Sequence, residues 1–574
     1  MSGKDREDTI NKYSIFSLEN LINVIWVTSC GIFATIYIVT AAPHLGSTFD
    51  EPLYVEEEVG ISTGKSMGNL LHVGTMPLPM HIQSTALKIH RLFTGKQLNI
   101  ETNYEEILRI SRLGNLPFLW LLLIFSFRLA KNFGNSWSGR LTVFLLATEP
   151  NLLAHSMLAT AEIAISSCFI LFVFYYIRGR DGSYCQRVLI PTVLFALLLS
   201  AKASGLVFGI LTMIAVECHR LIWHEAISFQ HPIRVKEMIQ QIWRASHRFR
   251  RETMTIVFLG TVLMCIYCGS DWKAEASFVK WAVALPESSF RTAILWFAEH
   301  FRLFPNGLEG IAYQIKHNLK GNGAYLFETW YTKPIWFYFP VAISLKLTIP
   351  ILFLSLCLVI RSSKILLSPL GIIFVLLFLN SVTYRVQIGI RMILPIICLW
   401  FIILGIGYTF IVQSSRYPRI WQGILTVSLG TILWPVLTIW PNPLTFFNLF
   451  GGGSENGYLC LSDSNYDWGQ GLKELTNWCE EHRDHSTQVW YFGRDPMYGR
   501  HPSYTPAILH QFPIKNTADF YTQVHGDYLA VGTTILFGRP HLSPAADISL
   551  EEIRKRQPIA RTSTFFIYDF TKEP

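Results

Sequence analysis

The sequence predicts an α-helical, multi-spanning membrane protein with about eleven transmembrane helices and a small C-terminal α/β soluble domain. Three observations predict it. Of 574 residues, 51% are hydrophobic and only 15% are charged, whereas soluble domains carry about 25% charged residues. The mean hydropathy is +0.32. Apolar runs long enough to span a bilayer recur as far as residue 440 and then stop. Residues 1–440 therefore read as a membrane module, and 441–574 as a separate domain.

The N-terminus, MSGKDREDTINKYSIF, is polar, and an uncharged run follows at 21–42. That run is long for a signal-peptide core and right for an uncleaved first span. Further runs lie at 115–131, 139–154, 156–177, 188–200, 203–217, 254–270, 336–360, 365–382, 390–412 and 420–440. Brief breaks separate 139–154 from 156–177 and 188–200 from 203–217, so ten or twelve spans also fit.

Orientation follows from Lys and Arg in the short loops. With the N-terminus inside, Lys4, Arg6, Lys12, Lys131, Arg140, Arg178, Arg180, Arg187, Arg361, Lys364, Arg416 and Arg419 share one side. The basic segment 218–253, with Arg220, Arg234, Lys236, Arg244, Arg248, Arg250 and Arg251, joins them. The net charge of +8 is thus divided between two sides of a membrane and does not point to nucleic acid.

Three large segments fall on the opposite side: 43–114, 271–335 and 441–574. Met80–Phe93 has apolar residues at helical spacing, as an interfacial helix would. Trp272, Trp281, Trp330 and Trp336 fit interfacial belts. In the C-terminal domain, Gln488–Gly493, Tyr528–Val531 and Phe565–Tyr568 read as strands, and Gly471–His482 as a helix. There is no internal repeat of the kind that marks many transporters. Of ten cysteines, Cys265 and Cys268 lie in an apolar run and read as packing. Cys460 and Cys479 could pair if their side is oxidising.

The chemistry gathers at the outer ends of the spans. Directly after the first span comes PHLGSTFDEPLYVEEEVG, with Asp50, Glu51, Glu56, Glu57 and Glu58 within nine residues. Pro52 biases Glu51 away from helix, so the Asp50-Glu51 pair is expected just before a short helix. There a negative charge is favoured. A solvated acidic loop that merely caps the helix is the plainer reading. His155 and Glu162 flank the start of the fourth span. Lys202 sits between the fifth and sixth, Lys346 part-way down the eighth, and Arg385 and Arg391 at the start of the tenth. Ionisable groups in spans are rare and usually functional. A lone Lys can snorkel, but agreement in depth across five spans is harder to reach by chance.

Cations at that depth can hold a phosphate and stabilise its charge as a leaving group. A neighbouring carboxylate can take a proton from an attacking hydroxyl. Together these suit glycosyl transfer from a lipid-phosphate sugar. With one base and no second nucleophile, a single inverting displacement through an oxocarbenium-like state is expected.

At these residues the chain resembles the polyprenyl-phosphate-sugar-dependent glycosyltransferases of the glycosyltransferase-C class. It is most like family 39, with the protein O-mannosyltransferases and bacterial aminoarabinose transferases. The resemblance rests on FDEPLY (49–54), LLAHSMLATAE (152–162), AKASG (201–205), WFYFPVAISLKLTIP (336–350), IGIRMILP (388–395) and GYLCLSDSNYDWGQGLKEL (457–475). It implies Asp50 as catalytic base, Glu51 as its acidic partner and Glu162 where the family usually has Asp. It also implies Lys202, Lys346, Arg391 and, less directly, Arg385 and His155 on the donor phosphate side. Asp463, Asn465, Asp467 and Trp468 would shape the acceptor side. Some relatives use a divalent metal, and no ligand set here settles that. DSNYDWGQGLKE misses a calcium loop, because Trp468 stands where that loop needs glycine.

The expected partners are a polyprenyl-phosphate-linked sugar, membrane lipid and a hydroxyl acceptor on protein, lipid or glycan. The alternative is a carrier or flippase for a lipid-linked or anionic substrate. No N-x-Ser/Thr sequon occurs in the outward segments, which favours a bacterial inner membrane with a periplasmic C-terminal domain.

Overall fold

The computed structural model describes residues 18–64, 68–223, 235–270, 272, 274, 276–300, 305–507, 509, 514–538 and 543–572. Lys4, Arg6, Lys12 and Arg234 lie outside them. Among the described residues, eight helices are long and apolar enough to cross a membrane. Three shorter helices, Ser136–Ala147, Ile190–Ala201 and Pro369–Ser381, occupy the remaining expected positions. The chain is an integral membrane protein.

The short helices have local causes. Ser136–Ala147 stops at Thr148, and a new helix, Pro150–Ser156, begins with Glu149 as its cap. The Glu149 carboxylate accepts from the Leu152 N–H at 2.7 Å, and Pro150 suits a first helical turn. The expected span 336–360 is likewise two helices, Tyr338–Lys346 and Ile349–Ser362. Leu347 between them is extended. Pro350 could not have continued the first helix, because it has no N–H to give.

Burial grades outward from a centre. The span Glu162–Gly179 is 78% buried and Ile390–Ser414 is 83% buried, whereas Pro418–Thr438 is only 17% buried. The two central helices are apolar on all sides, as a helix surrounded by others must be. They pack against each other and against Leu116–Phe133. Each begins at the same end of the bundle, one with Glu162 and the other with Arg391 in its first turn. The bundle therefore brings an acid and a guanidinium to its axis.

That end also carries the long segments between spans. Helix Glu51–Ser62 packs on Leu78–Thr94 and Ile100–Leu113. Pro305–Lys320 is followed by a two-stranded hairpin, β1 (Ala324–Leu326) and β2 (Thr329–Tyr331). Phe327 and Glu328 turn it with positive φ of 49° and 59°, the geometry of a tight two-residue hairpin. Trp272, Trp281 and Trp336 are exposed, but Trp330 departs from the expected belt and lines a cleft instead.

The C-terminal segment carries a five-stranded sheet in the order β4-β3-β5-β7-β6. Its strands are β3 (Thr487–Trp490), β4 (Thr505–Pro506), β5 (Tyr528–Gly532), β6 (Ala560–Arg561) and β7 (Phe565–Asp569). β3 runs parallel to β4 and β5, and β7 runs antiparallel to β5 and β6. One face buries Leu472, Leu475 and Cys479 of the helix Leu472–Glu481. Other residues of the sheet, Trp490, Leu529 and Val531, join the apolar cluster that runs through the membrane module. Cys460 belongs to that large cluster and Cys479 to the smaller one, and both are free thiols.

Candidate active site

Asp50 stands at the N-cap of Glu51–Ser62 with α-region angles, and its side chain makes no cap hydrogen bond. It is free to face a partner elsewhere. Glu51 is the first helical residue, not an extended one as Pro52 suggested. At the second helical position the missing proline N–H costs nothing, and tertiary bonds fix Glu51. Arg112 grips it with two 2.8 Å hydrogen bonds. The N–H groups of Thr48 and Ala159 add bonds of 2.8 and 2.7 Å. Burial would push the Glu51 carboxyl up, but Arg112 and these N–H groups hold it below the usual carboxylate range. Glu51 is thus fully occupied and buried. The two neighbouring acids, alike in sequence, sit in different surroundings.

Arg391 joins the central helices. Its Nη1 donates to Asp50 Oδ2 at 3.0 Å and to Glu162 Oε1 at 3.3 Å. Lys202 Nζ donates to the same Glu162 oxygen at 3.1 Å. The Arg391 guanidinium lies 4.0 Å above the Trp468 ring, a cation–π geometry. His155 is buried with its ring edge-on to Trp468. Glu162 is nearly enclosed, while the side chains of Asp50 and Lys202 keep 26% and 24% exposure. These two keep an exposed edge, and Arg391 and Glu162 link them.

The cleft above has a volume of about 540 Å³. Asp50, Arg391, Trp468 and Asp463 line it, with Trp330 and Tyr325 of the hairpin opposite. Aromatic faces and acids around one guanidinium make a polar, stackable pocket.

No family model and no curated protein matches the sequence. The chain is similar to the crystal structure of ArnT from Cupriavidus metallidurans bound to undecaprenyl phosphate, with 12% identity and a TM-score of 0.44 over 94% of this chain and 97% of ArnT. It is also similar to the Archaeoglobus fulgidus oligosaccharyltransferase tethered with an acceptor peptide. That match has 10% identity and a TM-score of 0.47, over 94% of this chain and 72% of the other.

Not all of the expected residues line the cleft: Glu162, Lys202 and His155 are not among its lining and adjoin it through Arg391 and Trp468. Lys346 is buried, and its Nζ donates to the carbonyls of Leu444, Phe446 and Asn465 at 2.9, 2.6 and 2.6 Å. An ammonium so used ties backbone together. Arg385 is exposed in a neighbouring recess with Lys333 and Trp336, and its guanidinium donates to the Leu319 carbonyl.

The DSNYDWGQ segment also divides. Asp463 and Trp468 line the cleft. Asn465 is buried and braces the turn before Arg391, accepting from the Ile390 N–H at 3.0 Å and donating to the Tyr338 hydroxyl at 2.9 Å. Asp467 is buried against the N–H groups of Thr534 and Gly469, at 3.0 and 3.1 Å. Burial pushes its carboxyl up to about 6, against those bonds. Among the described residues, no group of three or more His, Cys, Asp or Glu is placed to hold a metal.

Sequence reasoning missed Arg112, the partner of Glu51. It lies 61 positions away in an amphipathic helix, where an Arg reads as surface. It also missed Trp330 and Tyr325, because a Trp near a membrane reads as interfacial.

Proposed function

We propose that this protein is an integral-membrane glycosyltransferase. It moves a sugar from a polyprenyl-phosphate donor to a hydroxyl acceptor on the non-cytoplasmic face. The observation that carries the reading is the shared Arg391, bonded to Asp50 on one side and to the Glu162–Lys202 pair on the other, at the floor of an open cleft.

In this reading the donor phosphate lies against Arg391 and Lys202. Glu162 holds both cations in place before the phosphate arrives, which lowers the cost of organising them. The acceptor hydroxyl approaches the sugar from the Asp50 side. Asp50 takes the hydroxyl proton as the oxygen bonds to the anomeric carbon. The bond from that carbon to the phosphate oxygen breaks, and its electron pair leaves with the phosphate onto the cations. One displacement inverts the anomeric centre. Trp468 supports Arg391 from beneath. Glu51 and Lys346 serve the framework, and Arg385 stands outside the reacting centre.

The test is release of polyprenyl phosphate by purified protein offered a panel of polyprenyl-phosphate hexoses and pentoses. Asp50→Asn should cut turnover by at least about a hundredfold, the scale of a lost general base. It should leave the protein folded. Full turnover in Asp50→Asn would remove Asp50 as base. No turnover of any donor, together with movement of a labelled lipid phosphate across vesicles, would favour a carrier.

A further inference from the structure

Asp50 lies on a loop that the membrane module does not hold by itself. Residues 46–49 are gripped from the C-terminal domain and the segment leading into it. The Gly46 N–H donates to the Gln470 carbonyl at 2.8 Å, and the Phe49 N–H to the Trp468 carbonyl at 2.7 Å. Asp495 takes both donors of Ser47: the N–H at 3.2 Å and the hydroxyl at 2.7 Å, on the same carboxylate oxygen. Its other oxygen accepts from the Met497 N–H at 2.9 Å, which fixes the carboxylate in its own turn. The Tyr491 hydroxyl, just beyond β3, donates to the carbonyls of Gly469 and Ser47, at 2.9 and 3.2 Å. Phe492 stacks on Phe49 with ring centroids 5.1 Å apart, and the Arg494 guanidinium lies 4.1 Å from the centre of the Phe49 ring. Gly469, at φ +102°, lets these strands meet, since a Cβ there would come within 3.0 Å of the Tyr491 hydroxyl.

The contacts fall on Gly46, Ser47 and Phe49, the last being the residue before Asp50, while Thr48 between them is held by Glu51. They come from 468–470 and 491–495, two stretches joined where the Tyr491 hydroxyl meets the Gly469 carbonyl. We propose that Asp495 is a positioning residue for the reaction. With Tyr491 it sets the Ser47–Phe49 backbone, and so sets the Asp50 carboxylate against Arg391 and the acceptor hydroxyl. The C-terminal domain is then a working part of the active site. This rests on the role of Asp50 proposed above. A hydrogen-bonded loop of this kind matters because small displacements of a base from its proton are costly to rate.

The experiment is hydrogen exchange on the full chain in lipid nanodiscs, comparing wild type with Asp495→Ala, Asp495→Asn and Tyr491→Phe. The readout is the Phe49 amide, which none of these substitutions touches. It should exchange at least about tenfold faster in Asp495→Ala, and faster in Tyr491→Phe, with the spans as protected as before. Asp495→Asn keeps an acceptor oxygen and should restore most of the protection. Tyr491→Phe loses only a hydroxyl, so it reports even if Asp495→Ala folds poorly. Turnover is the second readout. Asp495→Ala should lower kcat with donor KM nearly unchanged, and should cost nothing further in an Asp50→Asn background. Unchanged Phe49 protection in both Asp495→Ala and Tyr491→Phe overturns the proposal. An equal further loss in the Asp50→Asn background overturns it too. Full activity of Asp50→Asn instead overturns the role of Asp50, while the exchange result still decides whether the loop is held.

Discussion

Asp50 and Glu51 show how little adjacency in sequence says about role. Both are acids before a proline at the mouth of a membrane module. One keeps a quarter of its side chain exposed and shares Arg391 with Glu162. The other is sealed against Arg112 and two backbone N–H groups. A buried pair stripped of one partner leaves a charge without compensation, a loss of about 3–5 kcal/mol. Glu51→Gln should therefore lower the thermal unfolding midpoint sharply, whereas Asp50→Asn should leave it near wild type. A Glu51→Gln protein as stable as wild type would remove the structural role assigned here. Lys346 makes the same point in a helix end. Its place in an apolar span is unusual, yet its three protons go to three carbonyls of the incoming C-terminal segment.

At the scale of elements, the turn 388–391 and the segment 462–470 act as a pair. Ser464 donates to the Ile388 carbonyl at 2.6 Å, and Asn465 accepts from the Ile390 N–H at 3.0 Å. Gly389 permits this approach, because a Cβ there would collide with the Ser464 hydroxyl. Gly389→Ala should push the turn away and carry Arg391 with it. We expect kcat to fall by at least about tenfold, the usual cost of misplacing a catalytic contact, with the spans intact by circular dichroism. Unaltered kcat would show that the turn tolerates the shift. The broken helices follow a simpler rule. Prolines at 150 and 350 start new helices where the long runs suggested single spans, since no carbonyl a turn back can receive a proline N–H.

At the scale of the molecule, the outer segments and the sheet close over the central spans, and this burial sets a pH dependence. Glu58 is wholly buried in the outer layer, and burial pushes its carboxyl well above the usual carboxylate range, with nearby Ser111 opposing and Glu51 adding to the rise. Asp467 is raised in the same sense, from 3.8 to about 6. The folded state therefore binds more protons than the unfolded one. Neither group contributes a pH dependence below the unfolded pKa. Stability falls as pH rises from there through the folded pKa. Glu51 has the opposite sign, and its contribution is lost on acidification. Glu58→Gln should thus raise the unfolding midpoint at neutral pH and flatten its decline above about pH 4.5. A midpoint with the wild-type slope would show that Glu58 is solvated.

The sequence by itself determined the class of the molecule and singled out several residues that the structure brings together in the candidate site. Runs of apolar residues can only satisfy their backbone in a bilayer as helices, so apolar helices stand along the runs the hydropathy marked, eight of them of spanning length among the described residues and two runs broken at Pro150 and Pro350. The strands at 488, 528 and 565 and the helix near 472 were equally legible, because alternation and apolar spacing are local signals. Asp50, Glu162, Lys202 and Arg391 could be picked out because charge at the end of a span is expensive and conspicuous. Only the tertiary structure decided which charges meet. Arg112 claims Glu51, carbonyls claim Lys346, and Arg385 turns to a separate recess, all through partners distant in the chain. The grip of Asp495 on Ser47 joins positions 448 residues apart. No periodicity or motif carries such a pairing, since it exists only once the sheet has folded against the membrane module.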